Sequence, residues 1–73
     1  MSPLGAKIRE LRLRRGWDQE EVAYRAKLAG STLSKIECGR HSPRLDTLEA
    51  IAEALDVSVA DLLVARSQLA VAA

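Results

Sequence analysis

Ser31, Ser34, Lys35 and Cys38 recur at intervals of three, one and three residues in the stretch STLSKIECGR, with Arg40 and Arg44 close behind. On a helix this spacing gathers the first four side chains into one arc and leaves Leu33 and Ile36 on the far side. Two hydroxyls, an ammonium, a thiol and two guanidinium groups supply short hydrogen-bond partners and fixed positive charge. That chemistry suits base edges and phosphates rather than bond breaking. No catalytic set competes with it: His41 has no serine, cysteine or acid placed in a recognisable motif, and there is no phosphate loop. Cys38 is the one cysteine, which excludes an intramolecular disulfide, and with His41 alone nearby it leaves too few ligands for a metal. A thiol beside a nucleic-acid contact would make a redox sensor; an exposed residue at a helix end is the simpler reading.

These side chains need a short helix held by others. Leu4, Ile8 and Leu11 stand at i, i+4, i+7, with Ser2 as N-cap and Pro3 at the tolerated first position, so residues 3–15 read as a first helix closed by Gly16. Asp18 caps a second helix; Glu21 completes a D-x-x-E capping box, and Val22, Ala23 and Ala26 face inward. Leu28 and Gly30 break the register, and a third helix runs from about Gly30 to Cys38, where Gly39 and then Pro43 stop it. Leu45, Leu48, Ile51, Ala52 and Leu55 trace the apolar face of a fourth helix over 45–55. Ser58 caps a fifth that carries Leu62 and Leu63 and extends to about residue 69. Trp17, Tyr24 and Leu28 read as packing residues.

The composition agrees with an all-α fold. Seventy-three residues make one domain, and the apolar residues are almost all aliphatic, with one Trp, one Tyr and no Phe. The formal charge is only +1, yet it divides into +4 over 1–16, −2 over 17–26, +3 over 27–44 and −4 over 45–73. Such polarity places a basic surface on a nearly neutral molecule, the footprint of a nucleic-acid ligand, although a solvated charged face would look the same. No signal peptide and no apolar run of membrane-spanning length is present, so a soluble, cytoplasmic protein is expected.

Two short helices joined by a tight turn, the second apolar on one side and small or basic on the other, form a device for entering the major groove of DNA. The ordered series IRELRLRRG, DQEEVA, STLSKIECG and SPRLDTLEAIAEALDVSVADLL resembles the Cro/C1-type helix-turn-helix regulators over about sixty residues. The resemblance implies a five-helix, lambda-repressor-like DNA-binding domain covering residues 1–73, with the helix-turn-helix at about 19–38. It makes Gln19 a phosphate clamp at the start of the second helix. It makes Gly30, Ser31, Ser34 and Lys35 the base-reading and backbone-reading positions of the third, and it lays Arg40 and Arg44 along the backbone and minor groove. It pairs Glu37 with Arg12 as a structural contact. Two residues depart from the family pattern: Lys27 stands where the turn usually has glycine, and Ala29 where it usually has a Ser or Thr cap. Both changes weaken the turn.

The function implied is a sequence-specific transcriptional regulator acting as a homodimer on a palindromic operator. It would be a repressor or autoregulator of phage, antitoxin or restriction-modification type, with double-stranded DNA as partner and no cofactor, small-molecule ligand or enzymatic activity. Apolar residues beyond the fourth helix, among them Val59, Leu62, Leu63, Val64 and Leu69, mark about 58–69 as a dimerisation helix. Glu20 and Glu21 could meet a basic region of RNA polymerase, or serve the helix dipole alone. The competing reading is a protein-interaction module of the same fold that no longer binds DNA.

Overall fold

The computed structural model describes residues 3–63, and the description is all-helical. α1 is Pro3–Arg14, α2 Gln19–Ala26, α3 Gly30–Cys38, α4 Leu45–Ala54 and α5 Val59–Leu63. The predicted third helix coincides with α3, and α1 and α4 each end one residue early. Ser2, Val64 and Leu69 lie outside the described residues, as does any reach of the fifth helix past Leu63.

The core is built from aliphatic side chains on every helix. Ile8, Val22, Leu33, Ile36, Ile51, Leu55 and Leu62 are fully buried, and Leu4, Leu11, Trp17, Leu28, Leu48 and Val59 pack around them. α2 packs on α3 and α4, α1 on α3 and α5, and α4 on α5. Leu33 and Ile36 therefore anchor α3 from below while its other side stays open to solvent.

Four successive helices end in the same way. After α1, Gly16 (φ 71°) donates to Leu13 O at 3.0 Å and Trp17 N to Arg12 O at 3.2 Å. The pattern repeats at Lys27 (φ 60°), Gly39 (φ 82°) and Asp56 (φ 59°), each followed by a residue whose N–H closes the six-residue loop. This is the Schellman closure, which satisfies the last carbonyls and needs one left-handed residue. Glycine takes that conformation freely; Lys27 takes it against a cost of about 1–2 kcal/mol, and Asp56, whose short polar side chain tolerates it better, against less.

Two packing expectations are corrected. Tyr24 is 81% exposed. At 100° per residue it stands about 160° from both Val22 and Ala26, outside the inward arc of α2. Leu45 is 64% exposed, because it opens α4 and its side chain tilts toward the N-terminus, beyond the packed part of the helix.

Candidate nucleic-acid interface

The first turn of α2 is organised by Asp18, whose Oδ1 accepts the Glu21 N–H at 2.8 Å. The reciprocal half of the predicted capping box does not form: the Glu21 carboxylate accepts instead from Arg25 Nε at 2.6 Å. Arg25 in turn lies 4.1 Å from the Trp17 ring centroid, so Trp17 is packed beneath a cation rather than wholly within the core. With Glu21 so engaged, Glu20 is the freer acid of the pair. The backbone N–H groups of Gln19 and Glu20 remain at the positive end of the helix dipole, open to an outside acceptor.

α3 is presented by a turn whose weaknesses are those expected. Lys27 adopts the left-handed conformation, and Ala29 occupies the N-cap with no side-chain bond to the helix. Gly30, Ser31 and Lys35 are exposed, Ser34 is half-buried, and Cys38 is exposed at the end of the helix. A Cβ built on Gly30 meets nothing within 4 Å, so the missing side chain is not required by packing. Arg40 and Arg44 are exposed in the α3–α4 connection, Arg44 at the N-cap of α4. Gln19 is half-buried at the first position of α2.

The electrostatics of this face depend on what happens to one acid. Residues 27–44 carry four cations, Lys27, Lys35, Arg40 and Arg44, and a single acid, Glu37. Glu37 is 3% exposed and is held by Arg12, through Nε to Oε2 at 2.9 Å and Nη2 to Oε1 at 3.1 Å. The third nitrogen of Arg12, Nη1, donates to the Trp17 carbonyl at 2.9 Å, tying the α1–α2 turn into the same group. Removing either partner would strand a buried charge, at a cost of about 3–5 kcal/mol. Among the described residues Lys27, Lys35, Arg40 and Arg44 make no ion pair, whereas Lys7, Arg12, Arg14 and Arg25 are each paired. The segment around α3 thus exposes four free cations and no competing anion. The acids gather elsewhere: Glu49, Glu53 and Asp56 line an open groove between α4 and α5.

One contact escapes a reading of the sequence. Gln19 Nε2 donates to Glu37 Oε1 at 3.1 Å, joining the predicted phosphate clamp to the buried pair. The burial of Glu37 was available from periodicity, since it lies one turn after Leu33 and shares its face. Its link to Gln19, eighteen residues away, was not.

The helix-turn-helix domain model matches residues 3–65. The immunity repressor of Bacillus phage phi105 is 38% identical over 60 residues, covering 82% of this chain and 42% of that protein. Among solved structures, the restriction-modification controller C.AhdI of Aeromonas hydrophila superposes with a TM-score of 0.81 at 32% identity, over 82% of this chain and 91% of the controller. SinR, the master regulator for biofilm formation from Bacillus subtilis, solved in complex with DNA, superposes with a TM-score of 0.79 at 37% identity, over 84% of this chain and 98% of that one. The chain spans 44%, 42% and 52% of the lengths of three curated relatives it matches, about half of each. No described helix is long and apolar enough to cross a membrane. With a family model spanning residues 3–65, and a relative 38% identical over 60 residues, the chain belongs to the helix-turn-helix domain family, of Cro/C1 type.

Proposed function

We propose that this chain is the DNA-binding part of a transcriptional regulator that reads a palindromic operator as a homodimer, most simply as a repressor or autoregulator. The observation that carries the reading is the outer face of α3 with its connection to α4: short hydrogen-bonding side chains and unpaired cations, the one nearby acid buried and neutralised. The immunity repressor and the restriction-modification controller, named above as relatives, support the same role.

In this arrangement Gln19 and the first N–H groups of α2 take a phosphate. α3 enters the major groove, where Lys35 donates to guanine O6 or N7 and Ser31 and Ser34 reach base edges or phosphate oxygens. Gly30 contributes close approach but no reading group. Arg40 and Arg44 bind backbone phosphates, with Arg44 approaching the minor groove. Few side chains read bases, so each half-site carries little specificity and pairing of two domains supplies the rest.

A gel-shift titration across salt concentration tests the reading. Binding that strengthens at low salt and favours one sequence among random competitors is the expected result. Failure to bind any duplex at low salt would overturn it in favour of a protein-interaction module.

A further inference from the structure

The Gln19 amide can serve a phosphate only if a nitrogen proton is directed outward. Which end of a glutamine amide faces which neighbour is decided by its partners. Here the partner is Glu37 Oε1, which accepts Gln19 Nε2 and Arg12 Nη2 at 3.1 Å each. A carboxylate ion-paired with arginine has no proton to give, so the nitrogen and not the oxygen of Gln19 must turn toward it. One N–H of the amide is spent on Glu37, and the second is left over on the residue that opens α2, whose first backbone N–H groups have no intrahelical partner. The orientation matters more here because the cap of α2 is itself an anion: Asp18 occupies the Glu21 N–H and repels an incoming phosphate. Within the DNA-binding reading above, we infer that Glu37 is a positioning residue for DNA. It is held rigid by Arg12 on one side and fixes the amide of Gln19 on the other, so that Gln19 meets the phosphate as a donor.

The buried pair thereby links three helices at the interface. Arg12 comes from α1, Gln19 opens α2, and Glu37 belongs to the last turn of α3. A phosphate bound at Gln19 senses the position of the recognition helix through a single carboxylate. Glu37→Gln would keep the size of the side chain but let it donate as well as accept. The Gln19 amide could then turn either end toward it, and the preferred polarity would be lost.

The test combines a spectroscopic signature with a double-mutant cycle. In the wild-type chain, one side-chain N–H of Gln19 should be shifted and slow to exchange with solvent, and in Glu37→Gln that distinction should vanish. Against a random-sequence duplex at low salt, Glu37→Gln should weaken binding roughly threefold to tenfold, the range of one modest hydrogen bond. In a Gln19→Ala background the same change should have no further effect on binding. Equal losses in both backgrounds, or a Gln19 amide that exchanges like a free one, would overturn the inference. The wild-type spectrum needs no variant, so a Glu37→Gln chain that does not fold leaves that arm decisive. Gln19→Met, which spares the buried pair, then gives the binding arm, and unchanged affinity there would also overturn it. A chain that shows the protected proton yet binds no duplex would overturn the DNA-binding reading, and the role of Glu37 with it. A chain that binds DNA without the protected proton would overturn the inference alone.

Discussion

Lys35 is exposed and unpaired at the start of the last turn of α3, so in the proposed DNA-binding reading its ammonium would be free to meet a base. Lys35→Ala should cost ~1 to 3 kcal/mol on the preferred site and relax one base position. Arg44→Ala should weaken binding to many sequences alike and flatten the salt slope; competition gel shifts on specific and random duplexes separate the two patterns. Equal losses on both duplexes for Lys35→Ala would reassign it to the backbone. Gly5 makes a different demand. A Cβ there would run into the carbonyl oxygen of Glu37 and come within 2.7 Å of that of Ile36, so α1 can approach the end of α3 only because residue 5 has no side chain. Gly5→Ala should destabilise the fold by about 1–3 kcal/mol through overpacking, measured by urea unfolding, and should disturb the Glu37 end of α3 in amide spectra. Nothing in the sequence singles Gly5 out from Gly30, which is also helical yet meets open space. The difference is tertiary, and residue patterns along one helix do not carry it.

At the scale of the elements, the helices were legible because their apolar residues repeat with a helical period and their ends carry recognisable stop residues. Gly16 and Gly39 announce their closures; Asp56, doing the same work after α4, does not, since aspartate enters the left-handed region only occasionally and is a weaker stop signal than glycine. The turn between α2 and α3 is the weak joint, with Lys27 strained and Ala29 unable to cap. Lys27→Gly should recover about 1 kcal/mol of left-handed strain, and Ala29→Ser about 1 kcal/mol of capping. Either change alone should raise the melting temperature by several degrees for a chain of this size, and no rise in the glycine variant would mean the turn relaxes around Lys27 by another route. α5 offers a test by pH. Its first turn is a reciprocal box in which Ser58 N donates to Asp61 Oδ2 at 3.0 Å and Asp61 N to Ser58 Oγ at 3.1 Å. The bond from the Ser58 backbone, then that from its hydroxyl, hold the Asp61 carboxyl below its ordinary value of 3.8. A depressed acid contributes stability that is present above its unfolded value and lost as the pH falls through the folded one. In Ser58→Ala the Asp61 midpoint, followed by carbon-detected titration, should rise only part of the way, because the backbone N–H remains.

For the molecule as a whole, the charge counts along the sequence foretold a basic face, but they overstated the opposition within it. Glu37 subtracts from the count over 27–44 and yet, buried against Arg12, it adds no exposed negative charge. Four unpaired cations therefore stand around α3, and in the proposed DNA-binding reading they would favour affinity over discrimination, so that selective binding would call for a second domain. In that reading the exposed apolar residue on α5, Leu63, is where the proposed second domain would attach. Leu62 is sealed in the core while Leu63, beside it on α5, is 57% exposed, so the helix serves the monomer with one side and leaves an apolar residue on the other. A two-fold, self-complementary contact there would bury Leu63 against its counterpart and set the recognition helices ~34 Å apart, in successive major grooves. Light scattering should then report twice the 7.9 kDa chain mass, with two chains bound per palindrome. Leu63→Glu should return the mass to that of one chain and lower operator affinity, while the helical signal in circular dichroism stays unchanged, because the side chain it replaces is already largely in water. A single-chain mass for the wild type across the micromolar range, with one chain per palindrome, would leave the operator to be read by a lone domain and would rule this interface out.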